Sequence, residues 1–289
     1  MDKIFDLIID SSLEGHRIEY VLEKHIGLST ALIRRLKRTA DSVMLNGKHA
    51  SVVERVHVGD KLHITVTSRT SENIIPVKMP LDILYEDEDV IAVNKPPLMP
   101  THPSRNHQMD TLANGVIHYL GEGTVFHAIT RLDRETSGVV IIAKNSFAAK
   151  LLSEDMKNKK MKKEYIAVVN GIPMPQNGAV DAPIKRKEER NIMRCVAADG
   201  KDAVTLYETE KVMGELSLVK LSPITGRTHQ LRLHMSYIGN PIYGDSMYGA
   251  PQCNERTRLH CRSLTFYRPM TKEEITVIAP VPHDIICLI

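Results

Sequence analysis

"RLDRETSGVVIIAK", residues 131–144, sets one carboxylate, Asp133, between two arginines and a hydroxyl-rich turn, then runs straight into an apolar stretch. "GVVIIAK" reads as a buried strand. Upstream, "ILYEDEDVIAVNKPP" (83–97) gives a strand, an acidic turn and a second strand ended by Pro96 and Pro97, and downstream "YIAVVNG" (165–171) supplies another. Helices are expected over Thr111–Tyr119, Ser146–Lys157 and Thr228–Tyr237, the last capped by a threonine and stopped by Gly239. Strands do not alternate strictly with helices. Residues 81–289 therefore read as an α+β domain, not a doubly wound one.

The whole chain has 289 residues, about two ordinary domains, and its 42% hydrophobic content is enough to build cores. Lysine plus arginine number 38 against 35 for aspartate plus glutamate, so affinity for a polyanion has to come from clustering, not from bulk charge. The first ten residues, "MDKIFDLIID", carry acids in an apolar stretch and do not read as a signal peptide. The longest purely apolar run, "VVIIA" (139–143), falls far short of the roughly 20 residues of a membrane helix. A cytoplasmic protein away from membranes is expected. Cys195, Cys253, Cys261 and Cys287 form no CxxC pair, which argues for reduced thiols and against a disulfide framework or zinc ribbon. No metal is expected either: His229 and His234 are spaced five apart, about 140 degrees around a helix, and so do not share a face.

Ahead of this domain, residues 1–68 behave as a smaller unit. "GHRIEYVLEKHIG" (15–27) places Ile18, Val21, Leu22 and Ile26 at helical spacing, and Ser29 or Thr30 caps a second helix, "ALIRRLKRTA", whose Leu32, Ile33 and Leu36 face inward. Asn-Gly in "VMLNGKHA" signals a hairpin, and "HVGDKLHITV" alternates as a strand with one buried face. A basic helix followed by "LNGK" and a "GD" turn resembles the S-four-type RNA-binding domain found in a ribosomal protein and in many RNA-modifying enzymes. That resemblance implies that Arg34, Arg35, Lys37, Arg38 and Lys48 touch RNA phosphates. Residues 69–80, with two prolines and little periodicity, read as a linker.

Three ordered motifs, "RLDRETSG", "KxYxAxVxG" (163–171) and "GRTHQLRLHMSYIGNPIYGD" (226–245), closely resemble the RluA-type family of RNA pseudouridine synthases. "YEDEDVIAVNKPPLMPTHPS" is similar to its first strand pair and loop, and "LHCRSLTFYRP" with "APVP" to its closing strands. Larger members carry an S-four-type domain. The resemblance implies the pseudouridine synthase fold, a mixed, mainly antiparallel sheet flanked by helices. It also implies isomerisation of uridine to pseudouridine in structured RNA, ribosomal RNA ahead of transfer RNA. By the same resemblance Asp133 is the catalytic carboxylate and Arg131 fills the gap left when the target nucleotide leaves the stack. Tyr165 stacks on the flipped base, Leu231 packs against it, and Arg232 pairs with Asp133. In one departure, Thr130 stands where the family usually has histidine; the nearest histidine is His127.

These residue types suit that reaction. The bond from sugar to ring nitrogen breaks, the base turns, and the sugar is rejoined to ring carbon five, so atoms are conserved and no cofactor is expected. An ionised carboxylate serves either route, addition to the anomeric carbon or removal of the neighbouring sugar proton. Extruding the base costs a few kcal/mol, of which stacking on an aromatic returns about 1–3 kcal/mol. The lysine-rich run "MKNKKMKK" (156–163) reads equally as phosphate-binding surface or as a solvated face. A monomer is expected, since RNA supplies the large interface. Two other readings stay open: an RNA-binding or ribosome-assembly factor that has lost activity, towards which Thr130 leans, and an RNA hydrolase or glycosidase, for which the motifs offer no obvious second catalytic carboxylate.

Overall fold

The computed structural model describes residues 2–39, 41–67, 74–121, 124–188, 192–251 and 255–288, so Cys253 and the 69–73 part of the expected linker lie outside the described residues. Near the N-terminus a four-stranded antiparallel sheet has the order β1-β4-β2-β3, built from β1 (Lys3–Ile8), β2 (Val43–Leu45), β3 (Lys48–His49) and β4 (Lys61–Val66). Asn46 and Gly47 both take positive φ, 53° and 77°, which gives the β2–β3 hairpin the mirror-image turn that fits strand twist. The first expected helix is shorter and looser than its spacing suggests: α1 (Ile18–Tyr20) widens into a π-helical turn over Val21–His25, with Ile18, Val21 and Leu22 still buried. α2 (Thr30–Leu36) starts at Ser29, whose hydroxyl accepts the Leu32 N–H at 3.2 Å.

The larger sheet has ten strands. They are β5 (Ile83–Glu86), β6 (Val90–Lys95), β7 (His127–Ala128), β8 (Ser137–Ala143), β9 (Lys162–Asn170), β10 (Asn177–Asp181), β13 (Val204–Met213), β14 (Leu216–Pro223), β15 (Leu259–Tyr267) and β16 (Glu274–Ile278), while β11 (Ile184–Arg186) and β12 (Arg194–Val196) form a separate hairpin. The main order is β10-β13-β14-β9-β15-β8-β6-β5, with β16 on β15 and β7 on β8. Among the described residues the one parallel pairing is β15 with β8; the rest is antiparallel, the mixed α+β architecture expected. Every residue of β8 is buried, because strands cover both its edges and the main core covers its faces.

Gly138 shows why that parallel pairing needs this sequence. Its φ is 110°, and a Cβ there would collide with the Cys261 carbonyl opposite. Only glycine permits the backbone to turn from the Asp133 loop into β8 at that distance.

α3 (Leu112–Leu120) carries a full capping box between Thr111 and Asn114, and α4 (Ser146–Lys157) starts at Asn145, whose side chain accepts the Ala148 N–H. α4 also joins the two parts of the molecule. Phe147 is buried in the N-terminal core, edge-on to Phe5 at 5.0 Å between ring centroids, and Lys3 pairs with Asp89 at 3.0 Å while Asp89 also accepts from Asn145. No helix among the described residues is long and apolar enough to cross a membrane.

α5 (Gln230–Tyr237) begins two residues later than the sequence suggests, and no threonine caps it. Its N-cap is His229, in the left-handed conformation at φ 58°, and Gln230 folds back to accept from the Thr225 hydroxyl and the Arg227 N–H.

Candidate active site

The loop from Thr130 to Thr136, the start of β9, the end of β14 and the start of α5 converge on one cleft of about 840 Å³. Arg131, Asp133, Tyr165, Leu231 and Arg232 all line it, although they come from three stretches far apart in sequence. The Asp133 loop is fixed from outside. Thr101 donates to the Leu132 carbonyl at 2.9 Å, Arg256 to the Glu135 carbonyl at 3.1 Å, and buried Lys95 to the carbonyls of Pro96, Met99 and Arg134. Burial pulls the Lys95 pKa down to about 7, with nearby Asp133 opposing the fall. Thr130 fits this scheme: buried, it accepts the Ile141 N–H at 3.0 Å and ties the loop to β8. His127 lies in β7, paired opposite Ala143.

The Asp133 side chain is 30% exposed and faces two partners: Arg232 Nη1 lies 3.5 Å from its Oδ2, and His229 Nε2 lies 3.9 Å from the same oxygen. The family resemblance implies that Arg232 pairs with Asp133; its closer partner is Asp245, gripped through two bonds of 2.6 and 2.7 Å. Asp245 is fully buried, and a planar guanidinium satisfies both of its oxygens at once. Burial alone would lower the Arg232 pKa; Asp245 first and Asp133 second raise it above its ordinary value and keep the cation charged. Tyr248 lies under Arg232, with the guanidinium carbon 5.2 Å from its ring centroid.

Tyr165, at 8% exposure, sits in β9 between Leu221 and Cys261, its pKa held well above the usual phenol value by burial and then by the Cys261 thiol. It therefore offers the cleft a neutral ring. Leu231, also buried, adds an apolar wall, and exposed Arg131 stands beside His102, whose pKa burial and Arg131 both lower. From the lysine run, Lys157, Lys159 and Lys163 reach the same lining.

The five expected N-terminal cations do not reach this cleft. Arg34, Arg38 and Lys48 are exposed and Lys37 pairs with Glu19, whereas Arg35 turns back to donate to the Thr67 carbonyl. Sequence reading missed Lys95, His229, Asp245 and Tyr248. His229 drew notice only beside His234, which turns away to bond Thr205 and the Ala182 carbonyl; Asp245 stands inside the quoted third motif, yet nothing local marks it as the arginine's partner.

A carboxylate flanked by an arginine and an imidazole, in a cleft with one neutral aromatic, one apolar wall and a cationic rim, can hold a planar base beside a charged oxygen acceptor. The family model described as RNA pseudouridylate synthase matches residues 89–237, which hold Asp133, Tyr165 and Arg232. The uncharacterized RNA pseudouridine synthase YjbO of Bacillus subtilis is 40% identical, over 91% of this chain and 95% of its own length. The ribosomal large subunit pseudouridine synthase D of Escherichia coli O6:H1 is 32% identical, over 86% of this chain and 81% of its own. Among solved structures, human RNA pseudouridylate synthase domain containing 4 superposes with a TM-score of 0.58 at 28% identity, covering 71% of this chain and 90% of that one. Motifs, fold and relatives agree, and the chain belongs to the RluA-type family of RNA pseudouridine synthases, enzymes that isomerise uridine to pseudouridine in RNA.

Proposed function

We propose that the chain modifies uridine in structured ribosomal RNA, as a cytoplasmic monomer, with Asp133 as the catalytic carboxylate. The observation that carries the assignment of Asp133 is its place: a partly exposed carboxylate, held between Arg232 and His229, in the cleft that also contains Tyr165 and Leu231. Asp133 either adds to the anomeric carbon or takes the neighbouring sugar proton as the bond to ring nitrogen one breaks. After the base turns, carbon five bonds to the anomeric carbon, displacing Asp133 on the first route or accompanied by return of the sugar proton from Asp133 on the second; the proton on carbon five then leaves and nitrogen one gains one. Tyr165 supplies the stacking face, Leu231 the apolar wall, and Arg131 takes the place of the extruded nucleotide.

The name of the Escherichia coli relative supports a ribosomal substrate. With RNA tritiated at uridine carbon five and prepared from cells lacking the gene, the ribosomal fraction is expected to release tritium. Release from the transfer RNA fraction alone would replace the ribosomal assignment.

Affinity for RNA is assigned to clustered cations. A second groove, of about 410 Å³, shares Gly226, Arg227 and Thr228 with the cleft and is lined by Lys185, Arg186, Arg194 and Lys201. Residues 1–68 are assigned as an RNA-binding domain through Arg34, Arg38 and Lys48. Truncation is a poor test of that role, because it would uncover Phe147. Replacing the three cations together by glutamine is expected to reduce the slope of log affinity against log salt by about 2–3, at roughly 0.7–0.9 per phosphate contact. Filter binding across a salt series measures it, and an unchanged slope removes the three from the RNA interface.

A further inference from the structure

Tyr248 stands at the centre of the groups that address Asp133. Its ring supports Arg232, and its hydroxyl lies between two nitrogens: the backbone N–H of Arg194, which donates to it at 2.9 Å, and Nδ1 of His229 at 2.8 Å. A backbone amide is only a donor, so the phenol oxygen accepts there; among the described residues Nδ1 is the one other group in hydrogen-bond contact with that hydroxyl, and the hydroxyl proton is assigned to it. Nδ1 then accepts, which places the proton of the neutral imidazole on Nε2, the nitrogen 3.9 Å from Asp133. Burial favours the neutral ring by lowering its pKa, with Asp133 pulling the other way.

The backbone bears out the importance of that placement. His229 is held at φ 58° and ψ 16°, a region that residues other than glycine enter at a cost and that asparagine tolerates better than most. The turn is over-determined by Gln230, whose amide also donates to the Val204 carbonyl and the Thr205 hydroxyl. Arg232 Nη1 bonds Oδ2 of Asp133 at 3.5 Å and the imidazole stands 3.9 Å from the same oxygen, so both groups address Oδ2 and not Oδ1.

We propose that His229 is a positioning residue for Asp133: Tyr248 fixes its tautomer, and its Nε2–H restrains Oδ2 so that Oδ1 is presented to the sugar. The proposal rests on Asp133 being the catalytic carboxylate.

Its test compares four variants of the full chain by kcat and KM on a tritiated RNA substrate, with Asp133→Asn as reference. Glutamine at 229 places an N–H near the position of Nε2 but fits the left-handed backbone poorly; asparagine fits the backbone but is too short to reach Asp133. His229→Gln is expected to keep kcat within about tenfold of wild type. His229→Asn and His229→Ala are expected to lose about 10²-fold in kcat at unchanged KM, the scale of a misplaced reacting group. A merely structural role predicts the reverse order, so asparagine equal to or better than glutamine overturns the proposal, as does alanine with wild-type kcat. Tyr248→Phe keeps the ring under Arg232 and removes only the hydroxyl, so it decides the matter even if a 229 variant fails to fold. Its kcat is expected to fall about tenfold with its melting temperature little changed, and wild-type kcat there overturns the proposal. An active Asp133→Asn would instead remove the underlying assignment, while an inactive one beside a fully active His229→Ala removes this proposal alone.

Discussion

Asp133→Asn is expected to abolish tritium release, lowering kcat on the order of 10⁴-fold or more, while RNA binding stays within a few-fold of wild type. Asparagine occupies the same volume but cannot add to the anomeric carbon or accept a proton as a carboxylate does. Its amide oxygen can still face Arg232 Nη1 and His229 Nε2, but an N–H₂ donor then stands where the second carboxylate oxygen was. Binding is expected to survive because the cations and the aromatic and apolar walls of the cleft are untouched: Arg131, Lys163, Tyr165 and Leu231 keep their places. Single-turnover release measures the chemistry and filter binding the affinity. Turnover within tenfold of wild type would take the catalytic role away from Asp133, and loss of binding in step with turnover would make it an RNA-holding group instead.

The parts of this molecule legible in sequence are those whose cause is local. "GVVIIA" is apolar at every position and becomes a strand buried throughout; Asn46-Gly47 supplies two positive φ angles in a row; Ser29 sits where orphan N–H groups need an acceptor. Edges were harder to see. β1 buries only Phe5 and is held by pairing with β4, and β13 mixes Glu208, Glu210 and Lys211 into a strand with a bulge, so neither shows an apolar period of its own. The expected helix over 15–27 contracted because its apolar spacing was met by a π-helical turn as well as by an α-helix. Within the site, the motifs named five residues that line the cleft but not the groups that hold them. Lys95 hydrogen-bonds the Arg134 carbonyl from the far side of a loop, and Tyr248 reaches His229 only after α5 has been laid against the β11–β12 hairpin. Such contacts follow from tertiary packing, which no window of neighbouring residues encodes.

Arg232 is where the missed supports have the largest energetic consequence. Arg232→Ala is expected to cost about 3–5 kcal/mol of stability, because it leaves the wholly buried Asp245 carboxylate without the guanidinium that satisfies both its oxygens. Against a domain stability of about 5–15 kcal/mol that is a large share, read as a shift in the urea midpoint. Arg232→Lys recovers only part of it, since an ammonium cannot bond both oxygens in the fork geometry or lie flat on Tyr248. The double variant Arg232→Met with Asp245→Leu separates fold from function. Replacing a buried ion pair by apolar side chains of similar size is often neutral or stabilising by about 1–4 kcal/mol, so this chain is expected to regain the stability lost in Arg232→Ala. It is not expected to regain turnover, because Asp133 would still lack its nearest cation. A stable but inactive double variant would mean that the buried pair is kept for the carboxylate it steadies; full activity would mean that Asp133 works without Arg232.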